Sequence, residues 1–148
     1  MIRRLMGLLF SVKISGQENY PGPNQKSIVI ANHQSVLDSF FLFVFLPRAP
    51  VITTFKGEQN NLFLRFFLFF ADHRIIELTN PESIQSLAKD LSEGRPILIF
   101  PEGDTPDFNS IGKIYEGSVL LIRKSGGDIV PVAINGLNYC KIGDKRKD

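Results

Sequence analysis

The chain reads as an α/β layered domain, a mostly parallel or mixed sheet flanked by helices. Two apolar runs, Ile28-Val29-Ile30-Ala31 and Ile97-Leu98-Ile99-Phe100, have the length of buried strands and end abruptly in polar residues. Between such runs lie helix-compatible segments of about ten residues, the alternation of a layered α/β domain. Gly, Pro and Asn mark the boundaries. At 148 residues the chain fits a single domain, expected to span 1–148 with its own core.

The first segment, Met1 to Phe10, sets two arginines before a short apolar stretch and has no small-residue cleavage site before Lys13. It reads either as an interfacial anchor, with Arg3 and Arg4 meeting lipid phosphates, or as a core-packing first helix. Ser27 to Ala31 is a strand entered from the turn-rich Pro21-Gly22-Pro23-Asn24. Ser35 to Leu46 is a helix stopped by Pro47, Val51 to Phe55 a strand, Asn61 to Phe70 a helix and Arg74 to Leu78 a strand. Either Thr79 or Asn80 caps the next helix, which runs to about Glu93 and stops at Gly94. Pro96 to Phe100, a helix from Glu116 to Lys124, and a strand from Ile129 to Ile134 complete the pattern.

Composition narrows the function classes. A net charge of +2 gives little footing for nucleic acid, and the basic residues of the tail (Lys141, Lys145, Arg146, Lys147) alternate with acids as in a solvated terminus. Cys140 is the only cysteine, which fits a reducing compartment. One cysteine and two histidines far apart make a structural zinc site improbable, and no metal is expected. No run reaches the about 18 apolar residues of a spanning helix.

Thirteen phenylalanines, several of them in two clusters, demand a partner. Phe40 to Leu46 and Leu62 to Phe70 are apolar around most of the helical wheel, more than one small domain should bury. Contact with a membrane or an acyl chain is therefore expected for part of this surface, with plain core for the rest.

His33 and Asp38 stand at the end of the first strand run, spaced so that their side chains can meet if His33 occupies a bend before the helix. A neutral imidazole can take a proton from an alcohol, and a carboxylate on its other nitrogen sets the tautomer and stabilises the imidazolium. Backbone N–H groups at the start of the helix are expected to be free near the site.

Three blocks then fall in order: Asn32-His33-Gln34-Ser35-Val36-Leu37-Asp38, Phe100-Pro101-Glu102-Gly103, and Ile129-Val130-Pro131-Val132-Ala133-Ile134. Together they resemble the glycerolipid acyltransferase family, whose signature is N-H-x-S-x-x-D, a block with a basic residue, F-P-E-G and a V-P-V type strand. Gly94-Arg95-Pro96, Lys113-Ile114-Tyr115-Glu116-Gly117 and Lys124-Ser125-Gly126 look like the subgroup found as the acyltransferase domain of bacterial bifunctional 2-acylglycerophosphoethanolamine acyltransferase/acyl-acyl-carrier-protein synthetases.

The resemblance implies that His33 is the general base on a lysophospholipid hydroxyl and that Asp38 orients it. Phe100, Pro101, Glu102 and Gly103 would form the wall near the glycerol phosphate, with the acidic Glu102 binding a hydroxyl, a backbone N–H or a basic side chain. The acyl donor would be a thioester of acyl carrier protein or coenzyme A, supplied by a separate synthetase, with no cofactor. The protein would lie peripherally on the cytoplasmic face of the cell membrane. Many members carry Arg two positions beyond the F-P-E-G glycine, where this chain has Thr105. In the second block the expected basic position is Glu77, leaving Lys113 and Arg74 as the substitute phosphate ligands. The chain ends soon after the V-P-V strand, so a C-terminal truncation is expected. Two other readings compete: an inactive lipid-binding module that keeps the fold, and a His-Asp esterase or thioesterase, against which stands the missing Gly-x-Ser-x-Gly elbow.

Overall fold

The computed structural model describes residues 2–55, 62–77, 80–102, 114 and 116–137, except the side chains of Phe55, Phe63 and Leu121. Helix α1 (Ile2–Leu9) precedes strand β1 (Ser27–Ala31), α2 (Asp38–Phe45), β2 (Val51–Phe55), α3 (Leu62–Phe70) and β3 (His73–Ile76). There follow α4 (Pro81–Ser92), β4 (Ile97–Ile99), α5 (Glu116–Ser125) and β5 (Asp128–Val132). The strands form one sheet in the order β3-β2-β4-β1-β5, and every pairing is parallel. Among the described residues the sheet is wholly parallel, not mixed.

Both faces of the sheet are covered, which is why its central strands are apolar without alternation. Val29, Ile52 and Leu98 pack with Leu42, Leu64, Phe67 and Leu68 of α2 and α3. Their neighbours Ile28, Ile97 and Ile99 point the other way, against Leu87 and Leu91 of α4 and Ile122 of α5. Gly127 lets β5 start close beside this second layer, since a Cβ there would fall 2.9 Å from Ile28 and 3.2 Å from Leu91.

Local signals account for several boundaries. Asn80 is the cap of α4, accepting from the Glu82 N–H at 2.9 Å with Pro81 in the first turn. Gly94 takes the left-handed conformation (φ 73°) expected of a helix stop, and its N–H bonds to the Leu91 carbonyl. Edge strand β5 tolerates Pro131 for a reason of register. The Asp128 N–H points into the sheet, toward Lys26. Two-residue alternation then turns the nitrogens of Ile129 and Pro131 outward, so the missing N–H costs no ladder bond and blunts the open edge.

The two phenylalanine clusters have different fates. No residue of α2 is exposed, because α1 and α3 flank it over the sheet: Phe10 meets Phe41 edge-on at 5.1 Å, and Phe67 meets both Phe40 and Phe43 at 5.5 Å. The first cluster is therefore core, and the surface to spare lies on the second. Helix α3 buries Leu64, Phe67 and Leu68 but exposes Leu62, Phe66, Phe69 and Phe70. Helix α1 has no fully buried residue: Met6 packs against the cluster of Leu37, Phe41 and Phe45, while Ile2, Leu5, Leu8 and Leu9 face outward.

Candidate active site

With all strands parallel, their carboxyl ends share one edge of the sheet. Adjacent β1 and β4 leave that edge toward helices on opposite faces, α2 on one and α5 on the other. This is a topological switch point, the place where open α/β sheets form a binding crevice. The His33 loop and the Phe100-Pro101-Glu102 turn both emerge there.

His33 lies two residues beyond β1, and Asp38 is the first residue of α2. His33 Nδ1 and Asp38 Oδ2 are 2.7 Å apart, with the carboxylate fully buried and the imidazole 16% exposed. The same Oδ2 accepts the backbone N–H groups of Gln34 and Ser35. An oxygen that receives two amide donors is held as an acceptor, so Nδ1 carries the proton and Nε2 keeps its lone pair. These bonds also explain why the helix begins at Asp38 and not at Ser35. They hold residues 34–37 as a turn folded back on the carboxylate, which takes up the Ser35 amide expected to be free near the site.

Phe100 stacks on the imidazole, ring centroids 4.3 Å apart and planes 18° from parallel, which sets the ring's tilt. Buried Glu102 accepts the His33 N–H through Oε1 at 3.3 Å, so the acid holds the loop by its backbone, one of the three partners expected of it. Pro101 is half-buried at the same turn. Sequence reasoning missed Asn32, whose carboxamide bonds twice to the backbone of Ile134. A polar residue with both donor and acceptor, placed right where an apolar strand stops, was the available signal.

The structure does not bring Arg74 to this place. It lies near the amino end of β3, three strands from β1 in the sheet, and its guanidinium bonds to Asp90 of α4 at 2.9 Å. Glu77 is exposed just after β3. Gly103 and Lys113 lie outside the described residues, as does Thr105. Among the described residues no three His, Cys, Asp or Glu side chains gather in a metal-binding group, and no helix is long and apolar enough to cross a membrane.

Residues 11–135 match the family model described as Acyltransferase. The chain belongs to the glycerolipid acyltransferase family. It is 30% identical over 134 residues to a 1-acyl-sn-glycerol-3-phosphate acyltransferase of Chlamydomonas reinhardtii, a match covering 86% of this chain and 39% of that protein. It is also 30% identical over 145 residues to the lyso-ornithine lipid O-acyltransferase of Pseudomonas aeruginosa, covering 91% of this chain and 51% of the relative. The crystal structure of the 1-acyl-sn-glycerophosphate acyltransferase PlsC from Thermotoga maritima shares the fold of this acyltransferase domain. Its TM-score is 0.75 at 21% identity, over 98% of this chain and 60% of that one. The chain thus spans about half or less of the length of these curated relatives.

Proposed function

We propose that the chain transfers a fatty acyl group from a thioester to a hydroxyl of a lysophospholipid, with His33 as general base and Asp38 as its orienting partner. The observation that carries this reading is the 2.7 Å Nδ1–Oδ2 bond at the carboxyl edge of the sheet, which reserves Nε2 as a proton acceptor. The substrate hydroxyl supplies the nucleophile: its oxygen attacks the thioester carbonyl while Nε2 takes its proton. Asp38 stabilises the resulting imidazolium. The tetrahedral oxyanion then collapses, the C–S bond breaks, and the departing thiolate takes the proton back from Nε2. The ester is formed and the imidazole is neutral again.

The donor is a thioester of acyl carrier protein or coenzyme A. Relatives named for lysophosphatidate and for lyso-ornithine lipid support a lysolipid acceptor without choosing its head group. The chain works as a peripheral protein on the cytoplasmic face of the membrane. Supporting that placement, Leu62, Phe66, Phe69 and Phe70 of α3 and Leu5, Leu8 and Leu9 of α1 are exposed beside Arg65, Arg3 and Arg4, and neither helix holds an acid. Gly103 and Lys113 complete the reading as phosphate-side residues.

The test uses purified chain, vesicles containing lysophosphatidate or lysophosphatidylethanolamine, and radiolabelled acyl-coenzyme A or acyl-acyl carrier protein. Diacyl product from the parent and none from His33→Ala is the expected result. A His33→Ala protein that works at the parent rate overturns the mechanism. Vesicle binding without product from the parent makes the chain an inactive lipid-binding module.

A further inference from the structure

We infer that Asn32 is the positioning residue for His33, clamping the start of the catalytic loop to the segment that follows β5. The inference rests on the proposed role of His33. The β1·β5 ladder runs in register from Ser27↔Asp128 to Ala31↔Val132 and stops there. One residue later the side chain of Asn32 takes over from the backbone. Its Oδ1 accepts the Ile134 N–H at 2.7 Å and its Nδ2 donates to the Ile134 carbonyl at 2.9 Å, across 102 residues of sequence. A two-point bond to one peptide segment fixes both the position and the rotation of the carboxamide.

The anchor at the other end is itself held. Ile134 packs against the cluster of Leu37, Phe41 and Phe45, in which Leu137 is also buried, so the segment after β5 is bound to α2, the helix that starts with Asp38. Asn32 thereby closes a ring: β1, the loop, α2, the apolar cluster, Ile134, and back to Asn32.

The His33 N–H reaches Glu102 at 3.3 Å, beyond the usual range for such a bond, whereas both Asn32 bonds lie within it. The Asp38 bonds to Gln34 and Ser35 fix the loop on the far side of His33. Asn32 fixes the near side. Only an amide of this length can serve. Asp in its place could accept from Ile134 but not donate, Ala could do neither, and Gln would overreach by a methylene.

Asn32→Ala and Asn32→Asp test this in the full chain, with His33→Ala alongside. Both Asn32 variants are expected to lose kcat by about 10- to 100-fold, the cost of a small misplacement of a reacting group. KM for the lysophospholipid should stay within about twofold, because the clamp orients the base and does not touch the lipid. The parent should show a downfield proton resonance from His33 Nδ1–H, absent in His33→Ala and lost or broadened in Asn32→Ala. Parent-like kcat in both Asn32 variants overturns the inference, as does a loss confined to KM, or a resonance that survives in Asn32→Ala. An active His33→Ala protein overturns the general-base reading instead, and the resonance then decides the clamp alone: its loss in Asn32→Ala supports it, its persistence ends it.

Discussion

Asp38, at the carboxyl edge of the sheet, and Asp90, at the amino edge, are both almost wholly buried, at 0% and 2% exposure. Each gathers its side-chain bonds on one oxygen and leaves the other without a hydrogen-bond partner among the described residues. The difference lies in who answers the charge. Asp90 meets the guanidinium groups of Arg74 and Arg95 at 2.9 and 2.7 Å, and Arg95 continues to Asp72 at 2.7 Å. Arginine holds its proton throughout the physiological range, so this network can only fasten α4 to the amino ends of β3 and β4. Asp38 meets two backbone amides and an imidazole, and the imidazole is the one partner that can exchange a proton near neutral pH. One edge of the sheet binds the fold together. The other is where the proposed mechanism moves a proton.

The sharpest way to break this contrast is to neutralise each acid in turn. Asp38→Asn should lower single-turnover acyl transfer by about 10³- to 10⁴-fold, since an amide in that place no longer secures the tautomer or stabilises the imidazolium. Its melting temperature should shift by only a few degrees. If transfer survives in Asp38→Asn, the carboxyl edge is as structural as the amino edge and the comparison collapses.

Helix α3 offers a second contrast, with α2 beside it. Their sequences are almost equally apolar, yet α2 is covered on all sides and α3 keeps an aromatic face in solvent. Replacing Phe66, Phe69 and Phe70 with Ser should weaken binding to anionic vesicles by about 100-fold or more, because each inserted ring is worth about 1.5–3 kcal/mol. Sedimentation with vesicles measures this. Unchanged vesicle binding with a shift from dimer to monomer would assign the face to a second copy of the chain.

Asp90→Asn should cost about 1–3 kcal/mol of stability in urea unfolding and leave transfer per folded molecule unchanged. The figure stays below that of a fully buried pair because Arg74 and Arg95 are 35% and 29% exposed and regain water when released. A drop in transfer per folded molecule would show that the amino edge reaches the chemistry.

The smallest effect belongs to Tyr20, also at the amino edge. Its hydroxyl donates to the Arg48 carbonyl at 3.4 Å, and the Arg48 guanidinium lies over its ring at 5.8 Å. Burial raises its pKa above the ordinary 10.0, with the Arg48 charge opposing. The unfolded chain therefore loses this proton first, and stability declines as pH rises past 10.0. Tyr20→Phe should flatten the alkaline limb of a stability–pH curve slightly. A curve identical to the parent's would mean that Tyr20 is not its source.

Much of the architecture was legible in the residues themselves. Four consecutive apolar residues bounded by turns mark β1, the Asn80-Pro81 pair marks the start of α4, and Gly94 marks its end, because strand burial and helix capping act over a few neighbouring positions. The His33–Asp38 pair was legible on the same terms, both residues lying within one turn and its following helix. Its wall was legible only as a motif: that Phe100 stacks on the ring and Glu102 holds the His33 amide depends on β4 lying beside β1, a pairing across about seventy positions.

By itself the sequence determined the strands, the helix stops and the proximity of a base to its acid, all products of short-range sterics and hydrogen bonding. Tertiary structure alone decided that the sheet is wholly parallel, that α2 is covered while α3 is not, that Arg74 turns to Asp90, and that Asn32 reaches Ile134. Those outcomes follow from strand order and from which helix lands on which face. They are set by the burial of the whole core, and no local window of residues contains that information.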